Sequence, residues 1–320
     1  MSNNQTQLIA YAAIALIVGA AIGYYVAGTM STVPGDVAEL QAQLTAARSQ
    51  ITTLENDVET LEAQIQELSN PTLSGTISIA GSTTVLPISQ ECANLFMSDH
   101  PEVQISVAGG GSGAGIKSGG SGEVDIGEAS RNIKDTEFLS YPDLVPFAIA
   151  KDSVAIIVNP QNPLANSLDI TMEQAKQIFA GEITNWSQLG GEDHEIEVFT
   201  REEGSGTREV FTTYIMGSEE FAATAGVKPS NGEMRAAVAS NRYAVAYISL
   251  GYVDSSVKTA KIGGAEATVD NVLNGQYPIT RILWMFTKGM PSELEAAFIE
   301  FVQGSEGQGV VKDLGYIPIY

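Results

Sequence analysis

A single cysteine, Cys92, stands in a chain of 320 residues, so no disulfide framework can hold this protein together. Histidine is nearly as scarce. With only His100 and His194, a His/Cys metal cage is close to excluded. Basic residues are also few: 16 Lys and Arg face 38 Asp and Glu, a net charge of −22. That deficit argues against nucleic acid and anionic lipid headgroups, both of which need clustered cations. It does not forbid a small anion, because the field of exposed charges is screened within about 8 Å at physiological salt, and a buried site can be locally positive.

Signatures of covalent chemistry are missing as well. The glycine-rich stretch 110–118 nearly spells a phosphate-cradling loop, but Ile116 separates Gly115 from Lys117 and the G-x-x-x-x-G-K-[ST] pattern fails. Gly109-x-Gly111-x-x-Ala114 matches a dinucleotide fingerprint only loosely, and no G-x-S-x-G elbow exists. His100 lies in a Ser-Asp-His-Pro turn and His194 in a charged loop, so both read as turn residues. Cys92, at helical spacing with Ile88 and Phe96, reads as core.

What is present divides the chain into three parts. The first 30 residues carry no Asp, Glu, Lys, Arg or His, and 8–30 form an uncharged apolar run of 23 residues. A helix of that length crosses roughly 30 Å of hydrocarbon, with Tyr24 and Tyr25 where an interfacial belt sits. Residues 1–34 are therefore expected to be a transmembrane anchor; the alternatives are a cleaved signal peptide and a buried helix. The absence of Lys and Arg before the run disfavours a signal peptide. The same absence leaves the positive-inside rule nothing to act on. Cys92 is too far away to serve as a lipid-attachment site.

Residues 35–70 follow Pro34-Gly35 with an unbroken 3,4 apolar repeat: Val37, Leu40, Leu44, Ala47, Ile51, Leu54, Val58, Leu61, Ile65, Leu68. Mostly β-branched at a and mostly leucine at d, it predicts a coiled-coil helix that favours a parallel pair. Asp57 and Glu62 fall at g and e of adjacent heptads, which would set like charges together in a homodimer. A monomeric spacer or a pairing with another protein are the alternatives. Asn70-Pro71 ends the repeat.

From residue 75 onward strands and helices alternate. Strands are expected at 76–81, 103–107, 124–127, 195–200, 242–250 and 279–287, with 143–150 and 151–158 as a pair meeting at a boundary. Helices are expected at 84–98, 171–180, 232–241, 293–302 and 307–313, with another starting near Thr207. Such alternation implies an α/β fold with predominantly parallel sheet. Three segments share a chemistry, a strand running into glycine and hydroxyl residues where a helix opens: Gly81-Ser82-Thr83-Thr84, Gly111-Ser112-Gly113 and Gly204-Ser205-Gly206-Thr207. Each alone is ordinary capping and turn chemistry. Together, with Arg201 four residues before Ser205, they describe a recessed oxyanion site built at strand ends.

The segments GSTTVLP (81–87), GGGSGAGIK (109–117), DIGEASR (125–131), FAGEITNW (179–186), REEGSGTR (201–208), YPITR (277–281) and GYIPI (315–319) resemble, in this order, the phosphate-binding proteins of ABC importers. The resemblance covers about 75–320. It implies a two-lobed type II periplasmic-binding-protein fold in which two chain crossings join the lobes and the ligand is clamped between them. Lobe 1 would be about 75–150 with 252–320, and lobe 2 about 151–251. Carried over by motif, ligand contacts fall on Ser82, Thr83, Thr84, Ser112, Ser130, Arg201, Ser205, Gly206 and Thr207. Arg131 stands where well-known members have an acid that accepts a proton from the bound phosphate. If Arg131 faces the site, discrimination against sulfate should be weak; the alternative is that it turns to a surface acid.

The expectation is a membrane-anchored extracytoplasmic receptor that captures inorganic phosphate for an ABC permease, needs no cofactor or metal, and does no covalent chemistry. A receptor for sulfate or molybdate is the rival within binding proteins. A structural or adhesive surface protein assembled through its coiled coil is the rival from another class, and a phosphatase-like enzyme a more distant third.

Overall fold

The computed structural model describes residues 37–69 and 73–320. These belong to two compact units that separate between Thr72 and Leu73. The expected anchor at 8–30 and the Asn70-Pro71 break lie outside the described residues. Among the described residues no helix is long and apolar enough to cross a membrane.

The first unit contributes one helix, α1 (Val37–Ser69), 33 residues long. Its threonines bond back to the preceding turn, as Thr45 to the Gln41 carbonyl and Thr60 to that of Asn56. Of its apolar repeat, Leu44, Ile51 and Leu61 are 53%, 49% and 45% exposed among the described residues.

The second unit begins β1 (Gly75–Gly81), α2 (Leu86–Asp99), β2 (Val103–Gly109), α3 (Ser112–Ser121), β3 (Ile126–Ala129), α4 (Asp135–Ser140) and β4 (Leu144–Val158). It continues β5 (Asp169–Ile170), α5 (Met172–Ala180), β6 (Glu197–Arg201), α6 (Gly206–Phe211), β7 (Gly226–Lys228), α7 (Asn231–Ser240) and β8 (Ala244–Ser249). Short strands β9 (Lys258–Thr259) and β10 (Lys261–Ile262) precede α8 (Val269–Leu273), β11 (Thr280–Lys288), α9 (Glu293–Gln303) and α10 (Ser305–Asp313). Helix α2 starts two residues later than expected. The Thr84 N–H is taken by the Ser82 hydroxyl at 3.2 Å, and Pro87 fills the first turn, where a missing N–H costs nothing.

The strand order is β2-β1-β3-β11-β4-β8-β6-β7, with β9 also on β4. Strand β1 runs parallel to β2 and β3, and β6 parallel to β7 and β8. The pairs β11–β3, β11–β4, β4–β8 and β4–β9 are antiparallel, so the sheet is mixed rather than predominantly parallel. The cause is the connectivity: the chain leaves one lobe along β4 and returns along β11, and the two crossing strands lie side by side in opposite directions.

The boundary expected between 150 and 151 is the interior of one 15-residue strand. Lys151-Asp152-Ser153 interrupts its apolar pattern because β4 there passes between the lobes. Residues up to Ser153 pair with β11, and Val154–Val158 pair with β8. Two hydrophobic cores result. One draws on Ile77, Ile88, Phe96, Ile126, Ile149, Leu283, Met285 and Phe298. The other draws on Val154–Val158, Phe179, Trp186, Phe211, Tyr247 and on Val257, Ala260, Ile262, Ala267, Tyr277 and Ile279. The return crossing is thus at Ile279–Leu283 rather than near 252. The intervening segment goes with lobe 2 because its buried side chains pack there and β10 pairs with β5.

Candidate functional site

The loop after β1, the N-terminus of α3, the residue after β3, the N-terminus of α6 and the crossing strands meet at one point between the two cores. Thr84 and Thr207, from opposite lobes, place their hydroxyl oxygens 3.2 Å apart. The Ser112 and Ser130 hydroxyls are 3.3 Å apart, and Ser112 Oγ also accepts from the Ser130 N–H at 3.0 Å. Gly206 fits between them because it has no side chain; a Cβ there would sit inside contact distance of both serine oxygens. Gly111 caps α3 with φ of 90°, a conformation that L side chains rarely adopt.

Arg281 organises this cluster. It is 7% exposed and stands directly opposite Asp152 in the register of β11 on β4. Its Nε and Nη2 donate to Asp152 Oδ2 at 2.9 and 2.7 Å. The remaining donor capacity reaches Thr84 Oγ1 at 3.1 Å, Thr207 Oγ1 at 3.0 Å and Ser130 Oγ at 3.3 Å. One cation therefore touches hydroxyls from both lobes, held by a fork that lysine cannot supply. Asp152 Oδ1 is buried and has no hydrogen-bond partner among the described residues.

Asn231, the first residue of α7, crosses the cleft in the same place. Its Nδ2 donates to Thr84 Oγ1 at 3.0 Å, while its Oδ1 accepts from the Ser249 N–H at 3.1 Å. Tyr252 donates to the Thr83 carbonyl at 2.7 Å, and the Gly113 N–H to the Gly204 carbonyl at 3.0 Å. With these contacts the lobes are closed on one another.

Arg201 lies at the end of β6 and is 1% exposed. Its backbone N–H donates to the Tyr247 hydroxyl at 3.2 Å, and that ring stacks on Phe211 with centroids 4.1 Å apart. The expected two-pronged grip on an anion is not free, because the fork is already engaged. Nε and Nη2 donate to Glu202 at 2.9 and 2.8 Å and to the carbonyls of Lys228 and Pro229. Only Nη1 is buried without a partner among the described residues.

Of the other expected residues, Thr84, Ser112, Ser130, Gly206 and Thr207 come together. Thr83 lies at the cluster's edge, where Asn231 Nδ2 reaches its hydroxyl at 3.4 Å. Ser82 and Ser205 are buried beside it, but their hydroxyls serve local structure, bonding the N–H groups of Thr84 and Arg208. Arg131 is not in the cluster. Its guanidinium turns to Glu137, with two contacts of 2.7 Å, and to Glu209, 3.0 Å away. Burial by itself would lower the Arg131 pKa; the bond to Glu137 and the charges of Glu209 and Glu137 outweigh it and the net shift is upward.

Asp152, Arg281, Asn231 and Tyr252 were not singled out from the sequence. Arg281 ends the YPITR segment, and Asp152 interrupts an apolar strand, so both left a trace. Cys92 is fully buried, and burial pushes its thiol up to about 12. No group of three His, Cys, Asp or Glu among the described residues is placed to hold a metal ion.

Residues 67–306 match the family model described as a PBP superfamily domain. The phosphate-binding protein PstS of Bacillus subtilis is 32% identical over 248 residues, covering 77% of this chain and 81% of its own length. The chain belongs to this family of phosphate-binding proteins. A phosphate ABC transporter substrate-binding protein from Clostridium perfringens, with bound phosphate, is 38% identical with a TM-score of 0.73. The match covers 77% of this chain and 100% of that one. An ABC-type phosphate transport receptor from Vibrio cholerae is 36% identical, with a TM-score of 0.62 over 75% of this chain and 99% of that one.

Proposed function

We propose that this protein captures inorganic phosphate between its lobes and delivers it to an ABC importer, by binding and release without covalent chemistry. The observation that carries this reading is Arg281, a buried cation whose donors face Thr84, Ser130 and Thr207 and so couple both lobes to one point. An anion seated there replaces hydroxyl–hydroxyl contacts with charge-assisted ones, each worth about 1.5–3 kcal/mol. Arg201 Nη1 would supply a further donor.

Selectivity has a ready source in Asp152 Oδ1. A buried oxygen that can only accept is satisfied by the P–OH of hydrogen phosphate and faces lone pairs when the guest is sulfate. With Arg131 turned to acids, the weak discrimination against sulfate expected from that residue no longer follows. The N-terminal run 8–30 would anchor the chain in the cell membrane, with the binding unit on the extracytoplasmic side. Helix α1 would be the spacer, roughly 50 Å long at 1.5 Å per residue. The exposed stripe of Leu44, Ile51 and Leu61 supports its pairing with a second copy.

The test is calorimetry of the full chain in detergent against phosphate, arsenate, sulfate and molybdate. Phosphate and arsenate should compete for one site while sulfate and molybdate fail to displace them. Preference for sulfate or molybdate would move the reading to another oxyanion. No binding of any of the four would leave the structural, coiled-coil-assembled protein.

A further inference from the structure

Beside the hydroxyl cluster lies a group of four charges that anion capture does not use. Arg131, Lys134 and Glu137 belong to lobe 1, following β3 and opening α4; Glu209 belongs to lobe 2, two residues past Thr207 on α6. Glu137 holds Arg131 through both of its oxygens, each contact 2.7 Å, and it stays on the same lobe whatever the cleft does. Glu209 is different. Its Oε2 lies 3.0 Å from Arg131 Nε and 2.6 Å from Lys134 Nζ, and both of these partners are across the cleft. Among the described residues Arg131 Nε has no hydrogen-bond partner, so its share of the contact is ionic. Arg131, Lys134 and Glu209 line one side of a recess of about 640 Å3 between the lobes.

We propose that Glu209 is a positioning residue that, by pairing with Arg131 and Lys134 of the opposite lobe, latches the closed arrangement and holds Thr207 against Thr84 and Arg281. The inference rests on the reading that a bound anion draws the lobes together. The charges support it. Two cations meet two carboxylates when the cleft is closed, so the cluster is balanced; opening leaves Arg131 paired with Glu137 but takes both counter-ions from Glu209. Closure therefore gains most at Glu209, whose side chain is only 26% exposed and thus less screened than a surface pair. A ligand that needs the closed state has its apparent affinity scaled by the fraction closed.

Glu209 decides the matter because two effects there have opposite signs. Neutralising an acid near an anion site strengthens anion binding through the field alone. Loss of a latch weakens it. For Glu209→Gln the expected result is phosphate binding weakened about tenfold and mainly through faster release, since contacts made only in the closed state slow opening. The phosphate-free chain should melt at the wild-type temperature. Lys134→Gln, at a side chain 53% exposed and safe for folding, should weaken binding less. Once Arg131 and Lys134 are both Gln, Glu209→Gln should have no further weakening effect.

Calorimetry and stopped-flow release on the full chain read these outcomes. Unchanged or tighter phosphate binding by Glu209→Gln, or an undiminished effect in the Arg131→Gln/Lys134→Gln background, overturns the latch and leaves phosphate capture standing. A wild-type chain that binds no phosphate overturns the capture reading instead.

Discussion

Replacing Arg281 separates what this residue does for folding from what it does for binding. Asp152 is 1% exposed, and its Oδ2 receives two bonds from Arg281. Arg281→Met alone leaves a buried carboxylate without its counter-ion, which costs about 3–5 kcal/mol of stability. A second substitution, Asp152→Leu, removes that stranded charge. Well-packed apolar replacements of a buried pair are often neutral or stabilising, so the double variant should melt close to the wild type.

Binding should not recover with it. The site then lacks the guanidinium that reaches Thr84, Ser130 and Thr207, and it lacks the acceptor oxygen of Asp152. Removing the main desolvated counter-charge of an anion is worth roughly 2–5 kcal/mol, or a loss of about 30-fold to several thousand-fold in affinity. Differential scanning calorimetry and phosphate titration of the single and double variants give the two quantities separately. A double variant that folds and binds phosphate at near wild-type affinity refutes the assignment and makes the Arg281–Asp152 pair purely structural.

Three other outcomes follow from particular contacts. Gly206→Ala puts a methyl group against Ser112 and Ser130 across the closed cleft, so phosphate affinity should fall by about a hundredfold or more, as one misplaced group of this size in a site can do; unchanged affinity in titration would show that the lobes do not close this tightly. Glu128 is fully buried against Ser89, and burial pushes its pKa up from 4.5 to about 8 against the pull of the Ser89 bond. The folded chain therefore keeps a proton that the unfolded chain releases, and stability falls as pH rises between those values, by about 1.4 kcal/mol per unit. Glu128→Gln removes this decline, so its melting temperature should gain on the wild type from pH 5 to pH 8; parallel curves would contradict the burial argument. Leu54→Lys with Val58→Lys places charge on the α1 seam and should turn a dimer into a monomer in sedimentation, whereas a wild-type chain already monomeric at micromolar concentration removes the paired stalk.

How the site could be found in the sequence depends on how each part is written there. The corners at Gly81–Thr84, Gly111–Gly113 and Gly204–Thr207 are local signals, and parallel β1 and β2 carry the first two to one edge; β6 runs the opposite way through the sheet, and its corner meets them only because the crossing strands turn the two lobes to face each other. Asp152 and Arg281 leave no such pattern. They are 129 residues apart, Asp152 beside Lys151 in an otherwise apolar strand and Arg281 near the start of another, until the antiparallel register sets them opposite. A boundary between 150 and 151 puts Asp152 at the frayed start of a second strand, where a charge needs no partner, rather than in the interior of one 15-residue strand. The return crossing was misplaced for a related reason. The segment 252–279 has only the short strands β9 and β10 and the five-residue α8 to mark it, and its place in lobe 2 is decided by long-range burial of Tyr277 and Ile279. Arg131 could be placed only when Glu137 and Glu209 were seen beside it.

A chain of net charge −22 that holds an anion looks paradoxical only if charge is counted globally. At the site itself, Arg201 and Arg281 face Glu202 and Asp152, and the centre is formally neutral. Attraction at long range is therefore weak, and affinity has to come from oriented donors at contact distance, which closure of the lobes strengthens by excluding water. On the proposed contacts, an anion of the wrong shape or protonation would gain little, since a guest would have to meet the hydroxyls, the Arg281 guanidinium, Arg201 Nη1 and Asp152 Oδ1 together to replace the bonds that closure removes from water. The acidic exterior adds to the selection. It repels polyanions and anionic surfaces that come within about a Debye length while leaving a small, buried guest largely unaffected.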